Sequence, residues 1–65
     1  MSRNHVAVIW WHGHAKPTVT PLLTEAAATN IATCAKRLSS VADTLAATWS
    51  DACAMLEAEE KERAS

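Results

Sequence analysis

The stretch from Leu22 to Arg63 contains neither glycine nor proline, and this limits what the chain can fold into. Glycine and proline are the residues that most often end a helix, so their absence favours one uninterrupted helix. The stretch is also rich in alanine, leucine, glutamate, lysine and arginine, which lose little conformational freedom in a helix. We therefore predict one long amphipathic helix over residues 21–62.

Apolar residues recur on one face of this predicted helix. At 100° per residue they fall in a narrow sector, and equivalent positions such as Ala27, Leu38 and Trp49 repeat every eleven residues. A helix of roughly forty residues is about 60 Å long, and the rest of the chain is too short to cover such a stripe. The stripe therefore predicts a homodimer. The predicted interface residues are Leu23, Ala27, Ile31, Cys34, Leu38, Val41, Leu45, Trp49, Ala52 and Leu56.

A helical hairpin broken near Ser39-Ser40 is the alternative. Ser40 and Asp43 loosely imitate a capping box, the arrangement of side chains that often starts a helix. The apolar stripe keeps its phase through the two serines, however, whereas a turn would normally reset it. This continuity favours the single helix.

Residues 5–20 have the composition of a β-hairpin. The segment from His5 to Trp11 is rich in β-branched and aromatic residues, and it is apolar on both faces of a strand. Gly13 and Pro17 mark the turn, and a short second strand follows. The alternating faces would carry Val6, Val8 and Trp10 on one side, and Ala7, Ile9 and Trp11 on the other.

The start of the helix has two candidate positions. Pro21 suits the first helical turn with Thr20 as the N-cap, while Thr24 ahead of Glu25 would begin the helix four residues later. Together these elements predict a mostly helical α+β fold in a single small domain, residues 1–65. Residues 1–4 and 63–65 are expected to be frayed.

Charge and composition indicate which partners to expect. The formal net charge is −1 and the isoelectric point is about 6.2, so the chain lacks the basic surface that nucleic acids and anionic membranes attract. No apolar run is long enough to span a bilayer. We expect a cytoplasmic protein with no nucleic-acid, membrane, cofactor or small-molecule partner.

No motif in the chain indicates catalysis, so we do not expect an enzyme. His12 and His14 form a His-x-His pair that could supply two metal ligands, with a third from His5 or from a second chain. These are weak candidates, and no metal is expected. Cys34 and Cys53 are predicted to be buried, unbridged thiols.

The tryptophans and the charged ends suggest where a partner binds. Trp49 is predicted to be a core anchor at the helix seam, while Trp10 and Trp11 must point to opposite faces of their strand. The acidic C-terminal turns could engage a basic partner. The predicted partner-binding residues are Trp10, Trp11, His12, His14, Lys16, Glu57, Glu59 and Glu60.

In size and alanine-rich helical composition, the chain resembles the small accessory proteins that bacteriophages and mobile elements encode to block host machinery. This analogy of type implies an adaptor or inhibitor that acts by protein–protein contact. We therefore expect a self-associating interaction module with itself and one further protein as partners. The alternatives are a structural subunit of a larger assembly and a small histidine-based metal-binding module.

Overall fold

The chain forms three strands and two helices. The computed structural model describes residues 3–64, with side chains through residue 62. In chain order the elements are β1 (His5–Trp11), β2 (Thr18–Val19), α1 (Glu25–Ala35), β3 (Val41–Thr48) and α2 (Trp49–Ala64). The predicted α+β class and the N-terminal hairpin are confirmed. The single long helix over 21–62 is wrong, because a strand separates two shorter helices.

Strand β1 lies at the centre of the sheet, whose order is β2-β1-β3. Both neighbours run antiparallel to it. The β1–β3 ladder extends from His5 opposite Thr48 to Trp11 opposite Val41, whereas β2 pairs with β1 through only two residues. An isolated bridge between His5 and Leu23 extends the hairpin side of the sheet.

The two faces of β1, both of them apolar, each pack against a helix. Val6 and Val8 are fully buried and cluster with Ala52 of α2. Ile9 lies on the opposite face and clusters with Ala35 of α1 and Val41 of β3. The sheet is therefore the middle layer, with α1 on one side and α2 on the other.

Helix α1 begins at the later of its two candidate positions. Thr24 has an extended backbone, and its hydroxyl oxygen accepts a hydrogen bond from the Ala27 N–H at 3.3 Å. Thr20 and Pro21 precede the helix instead of capping it. The helix packs on β1 and β3, and its buried positions are all small residues: Ala28, Ala32 and Ala35.

The cap gives a direct test of this start. Replacing Thr24 with alanine is expected to lower the free energy of unfolding by about 1 kcal/mol, because the Ala27 N–H loses its acceptor. Thr33→Ala is the matched control at an exposed position inside the same helix, where alanine is the better helix former. Urea unfolding followed by circular dichroism measures both, and equal destabilisation would contradict the Thr24 cap.

Helix α1 ends without glycine or proline, which is why the sequence pattern concealed its end. After Ala35 the backbone closes tight turns in which the N–H of Arg37 bonds the Cys34 carbonyl and that of Leu38 bonds the Ala35 carbonyl. The predicted break near Ser39-Ser40 does coincide with a turn. A strand follows it, so the helical-hairpin alternative is also wrong.

Strand β3 was mistaken for a helix because a bulge disrupts its alternation. The β1–β3 register shifts between Trp10 and Trp11, so that Ala42 is an extra residue. Val41 thereby packs towards α1, whereas Leu45 packs towards α2. Val41 and Leu45 are four residues apart in the sequence, a spacing that matches a helical period although the two side chains face opposite sides of the sheet. Pairing with the apolar strand β1 outweighs the helix propensity of the alanines.

The two ends of the described chain differ in structure. Arg3 and Asn4 have no regular structure, and the Asn4 carbonyl accepts a hydrogen bond from the Trp49 N–H at 2.8 Å. Residues 63 and 64 belong to α2, and the predicted fraying of residues 1, 2 and 65 lies outside the described part of the chain. No helix within residues 3–64 combines the length and the apolar character needed to cross a membrane.

Candidate partner-binding groove

The start of α2 is fixed tightly to the sheet. The helix follows β3 directly, and the Thr48 hydroxyl oxygen accepts a hydrogen bond from the Asp51 N–H at 3.2 Å. One turn later Ala52 is fully buried against Val6 and Val8. Among residues 49–62 of α2, Ala52 is the one fully buried residue, and a flank of the helix lies beside the short edge strand β2.

A groove runs along this flank, between α2 and the edge strand β2. It consists of two adjoining clefts of about 610 and 360 Å³ that share Val19. We call it the α2–β2 groove. Its apolar lining consists of Pro17, Val19, Pro21, Leu22, Trp49, Cys53 and Leu56, and its charged residues are Lys16, Glu57, Glu59 and Glu60.

The groove changes in character from one end to the other. At the start of α2, Trp49 and Leu22 are large apolar residues that expose 51% and 48% of their surface. Towards the C-terminal half of the helix, Glu57 and Glu60 follow on the same flank, at helical spacings from Trp49 and Cys53. The groove therefore has an apolar end, a half-buried middle and an acidic end.

The structure brings together half of the sequence-predicted partner-binding residues. Lys16, on the loop before β2, lies across the groove from Glu57, Glu59 and Glu60 on α2. His12 and His14 lie apart from them, exposed in the turn around Gly13. That turn requires glycine, because Gly13 has a φ of +80°, which side chains disfavour.

The two strand tryptophans lie on opposite faces, as predicted, and both are half-buried. Trp11 packs on the α1 side, and its indole N–H donates a hydrogen bond to the Thr18 hydroxyl at 2.9 Å. Trp10 lies on the α2 side, in a separate cleft with Asp43 and Met55. Its buried indole nitrogen has no hydrogen-bond partner among the described residues.

The predicted dimer interface does not exist as one continuous stripe. Val41 and Ala52 belong to the chain's own core, and Leu45 and Leu56 pack against it. The remaining members are scattered over the fold. Leu23 forms a bridge with His5, and Ala27 is half-buried in α1. Ile31, Cys34 and Leu38 are exposed on or just after α1, and Trp49 lies in the α2–β2 groove. Trp49 is thus a groove residue instead of the predicted core anchor.

The candidate metal-binding histidines lie at the two ends of β1. His5 begins β1 while His12 follows its end, so the strand separates them by about 20 Å and His5 cannot complete a site with His12 and His14. No group of three or more potential ligands occurs in the described part of the chain. Neither cysteine is bridged within the chain, and Cys34 is exposed where a buried thiol was predicted.

Several groove residues escaped the sequence analysis. Pro17, Val19 and Cys53 were not assigned to a partner site, because the hairpin and the helix had no known relation in space. The helical spacing of Trp49, Cys53 and Leu56 was visible, but it was interpreted as part of a longer stripe. Within α2 itself the apolar residues show almost no helical periodicity, so the sequence carries only a weak signal for the groove flank.

Comparisons with known proteins add no assignment. No protein-family model, no curated protein and no solved structure matches the chain. No relative therefore gives a role to any residue of the α2–β2 groove. Its function is inferred from its shape and its side-chain chemistry.

Proposed function

We propose that the chain is a small, non-enzymatic protein–protein interaction module. In this proposal the α2–β2 groove binds a basic amphipathic segment of a partner protein, and the chain acts as an adaptor or inhibitor of that partner. The observation that carries the proposal is the groove itself, in which exposed Trp49 and Leu22 continue into the acidic flank of α2.

The apolar end supports a protein partner. Tryptophan is among the residues that contribute most to protein–protein binding, and a half-exposed Trp49 offers a large surface for contact. An apolar side chain of the partner would pack between Trp49 and Leu22. Amphipathic segments bind grooves in this way, with anchors at helical spacing.

The acidic end supports a basic partner. Glu57 and Glu60 are exposed on the groove flank of α2, and Lys16 is the only cation that lines the groove among the described residues. Lysine or arginine side chains of a partner would approach these carboxylates. Such pairing contributes modest affinity, but it selects partners by charge and makes binding sensitive to salt.

A pair of synthetic peptides tests the proposal. One peptide places leucine and lysine in a helical repeat, and the other has the same leucines with glutamate in place of lysine. We expect the basic peptide to bind and the acidic peptide not to bind. Amide chemical-shift changes should be confined to residues 16–22 and to residues 49–60 of α2, and binding should weaken as salt is added.

Two variants with equal charge change serve as a matched pair. Glu57→Gln/Glu60→Gln removes two carboxylates from the groove, whereas Glu25→Gln/Asp51→Asn removes two from exposed positions elsewhere. We expect the first to weaken binding about tenfold and the second to change it by less than about twofold. Equal weakening, or shift changes outside the groove, would contradict the proposed site.

Failure of both peptides to bind would favour the alternative function, a structural subunit of a larger assembly.

The two free cysteines fit a reducing compartment, and we propose the cytoplasm as the place of action.

A further inference from the structure

The two edges of the sheet differ in how they are protected. Strand β2 contributes only Thr18 and Val19, and Pro17 and Pro21, which lack an N–H, flank it. Short length and proline are the usual means by which a sheet edge avoids pairing with another strand. Strand β3 forms the other edge with eight residues, and it contains no proline, lysine or arginine.

The hydrogen bonds of β1 show which groups of β3 point outwards. Ala7 directs its N–H and its carbonyl towards Thr20 beside β2, with distances of 2.9 and 3.0 Å. Because these groups alternate along a strand, Ala7 and Ile9 make no ladder hydrogen bonds with β3. Their partners Ala46 and Thr44 therefore direct their N–H and carbonyl groups to the outer edge. Within residues 3–64 no strand pairs with this edge.

We propose that the outer edge of β3 pairs with β3 of a second copy of this chain. Antiparallel pairing about a two-fold axis at Leu45 would give one continuous six-stranded sheet. Thr44 of each copy would then exchange backbone hydrogen bonds with Ala46 of the other. This inference goes beyond the proposed function, because it concerns the edge of the sheet opposite the α2–β2 groove.

The composition of β3 favours a second copy over a foreign strand. In this register Leu45 faces Leu45 of the other copy, so two half-buried leucines complete each other's cover. Asp43, the only charged residue of the strand, lies opposite Ala47 of the other copy. The two Asp43 carboxylates are then about 13 Å apart along the strand direction, too far to repel strongly.

Asp43 regulates this pairing. Its Oδ1 accepts a hydrogen bond from the Thr44 N–H at 2.8 Å, so it occupies one of the outward donors that the second copy needs. The carboxylate must turn away before Thr44 can pair across the edge. A single inserted charge of this kind is a recognised way of limiting edge pairing. The dimer is therefore expected to be reversible.

Chemical synthesis of the chain allows a test on a single backbone atom. N-methylation of Ala46 removes an outward donor without changing any side chain. N-methylation of Val19 makes the same change on the β2 edge and serves as the control. The Val19 N–H also points outwards, because the N–H of its neighbour Thr20 bonds to the Ala7 carbonyl. Sedimentation equilibrium without any peptide measures the molar mass. We expect the unmodified chain to reach about 14 kDa, twice its 7.0 kDa.

We expect N-methylation of Ala46 to raise the dimer dissociation constant about tenfold or more, and N-methylation of Val19 to leave it unchanged. Asp43→Ala should lower it about fivefold, a gain that misfolding would not produce. A monomer at every concentration, equal effects of the two methyl groups, or a weaker Asp43→Ala dimer would overturn the proposal. Peptide binding in the groove is measured separately, so each inference can fail without the other.

Discussion

Replacing Ala28 with leucine is expected to lower the free energy of unfolding by about 3 kcal/mol, whereas the same change at Ala26 should have almost no effect. Ala28 is fully buried on the face of α1 that packs on the sheet, and Ala26 is exposed two residues earlier. Interiors are packed too densely to accept three extra carbon atoms without displacing the helix.

A loss of this size matters in so short a chain. A domain of this length is stable by only roughly 3–5 kcal/mol, so the substitution Ala28→Leu should remove most of the free energy of unfolding. Thermal unfolding by circular dichroism should show a Tm lower by roughly 15 °C. Ala26→Leu is the control for changed hydrophobicity. Similar melting curves for the two variants would show that α1 does not pack on the sheet through Ala28.

Replacing Thr20 with valine is expected to cost about 2 kcal/mol of stability. The Thr20 hydroxyl oxygen accepts a hydrogen bond from the N–H of Ala7, a residue with no exposed surface. Valine has nearly the same shape but no oxygen, so the buried Ala7 N–H would have no acceptor. Urea unfolding measures the loss, and hydrogen exchange at Ala7 identifies the donor that has become unprotected.

Thr20→Ser is the matched control, because serine keeps the hydroxyl and removes only a methyl group. We expect it to retain most of the stability and the slow exchange of the Ala7 amide. If valine and serine destabilise the protein equally, then the methyl group and not the hydrogen bond is responsible. Slow exchange at Ala7 in the valine variant would point to the same conclusion.

The N-terminal half of the fold could be predicted because its signals are local. β-branched and aromatic residues from Val6 to Trp11 indicated a strand, Gly13 indicated the turn, and Thr24 was a candidate cap. Each of these features depends on neighbouring residues alone. The same holds for the opposite orientations of Trp10 and Trp11, which follow from the geometry of any strand.

The second half could not be predicted because its structure depends on distant pairing. Val41–Thr48 is a strand because it completes the ladder of β1, and nothing in its own alanine-rich sequence shows this. The bulge at Ala42 further hides the alternation. The candidate groove was therefore predicted only in part: the carboxylates of α2 and Lys16 were identified, but the apolar residues between them were assigned to a seam that does not form.

The central position of β1 has a consequence for how the chain folds. The ribosome makes this apolar strand before either of its sheet partners, and β3 can close the ladder only after the turn that follows α1 has been made. Until then the segment from Val6 to Trp11 has no neighbour on one side, and α2 has not yet been made to cover Val6 and Val8. Pairing over so many intervening residues is slow, because the loop must close before any contact is gained. The nascent chain should therefore be most prone to aggregation shortly before β3 emerges.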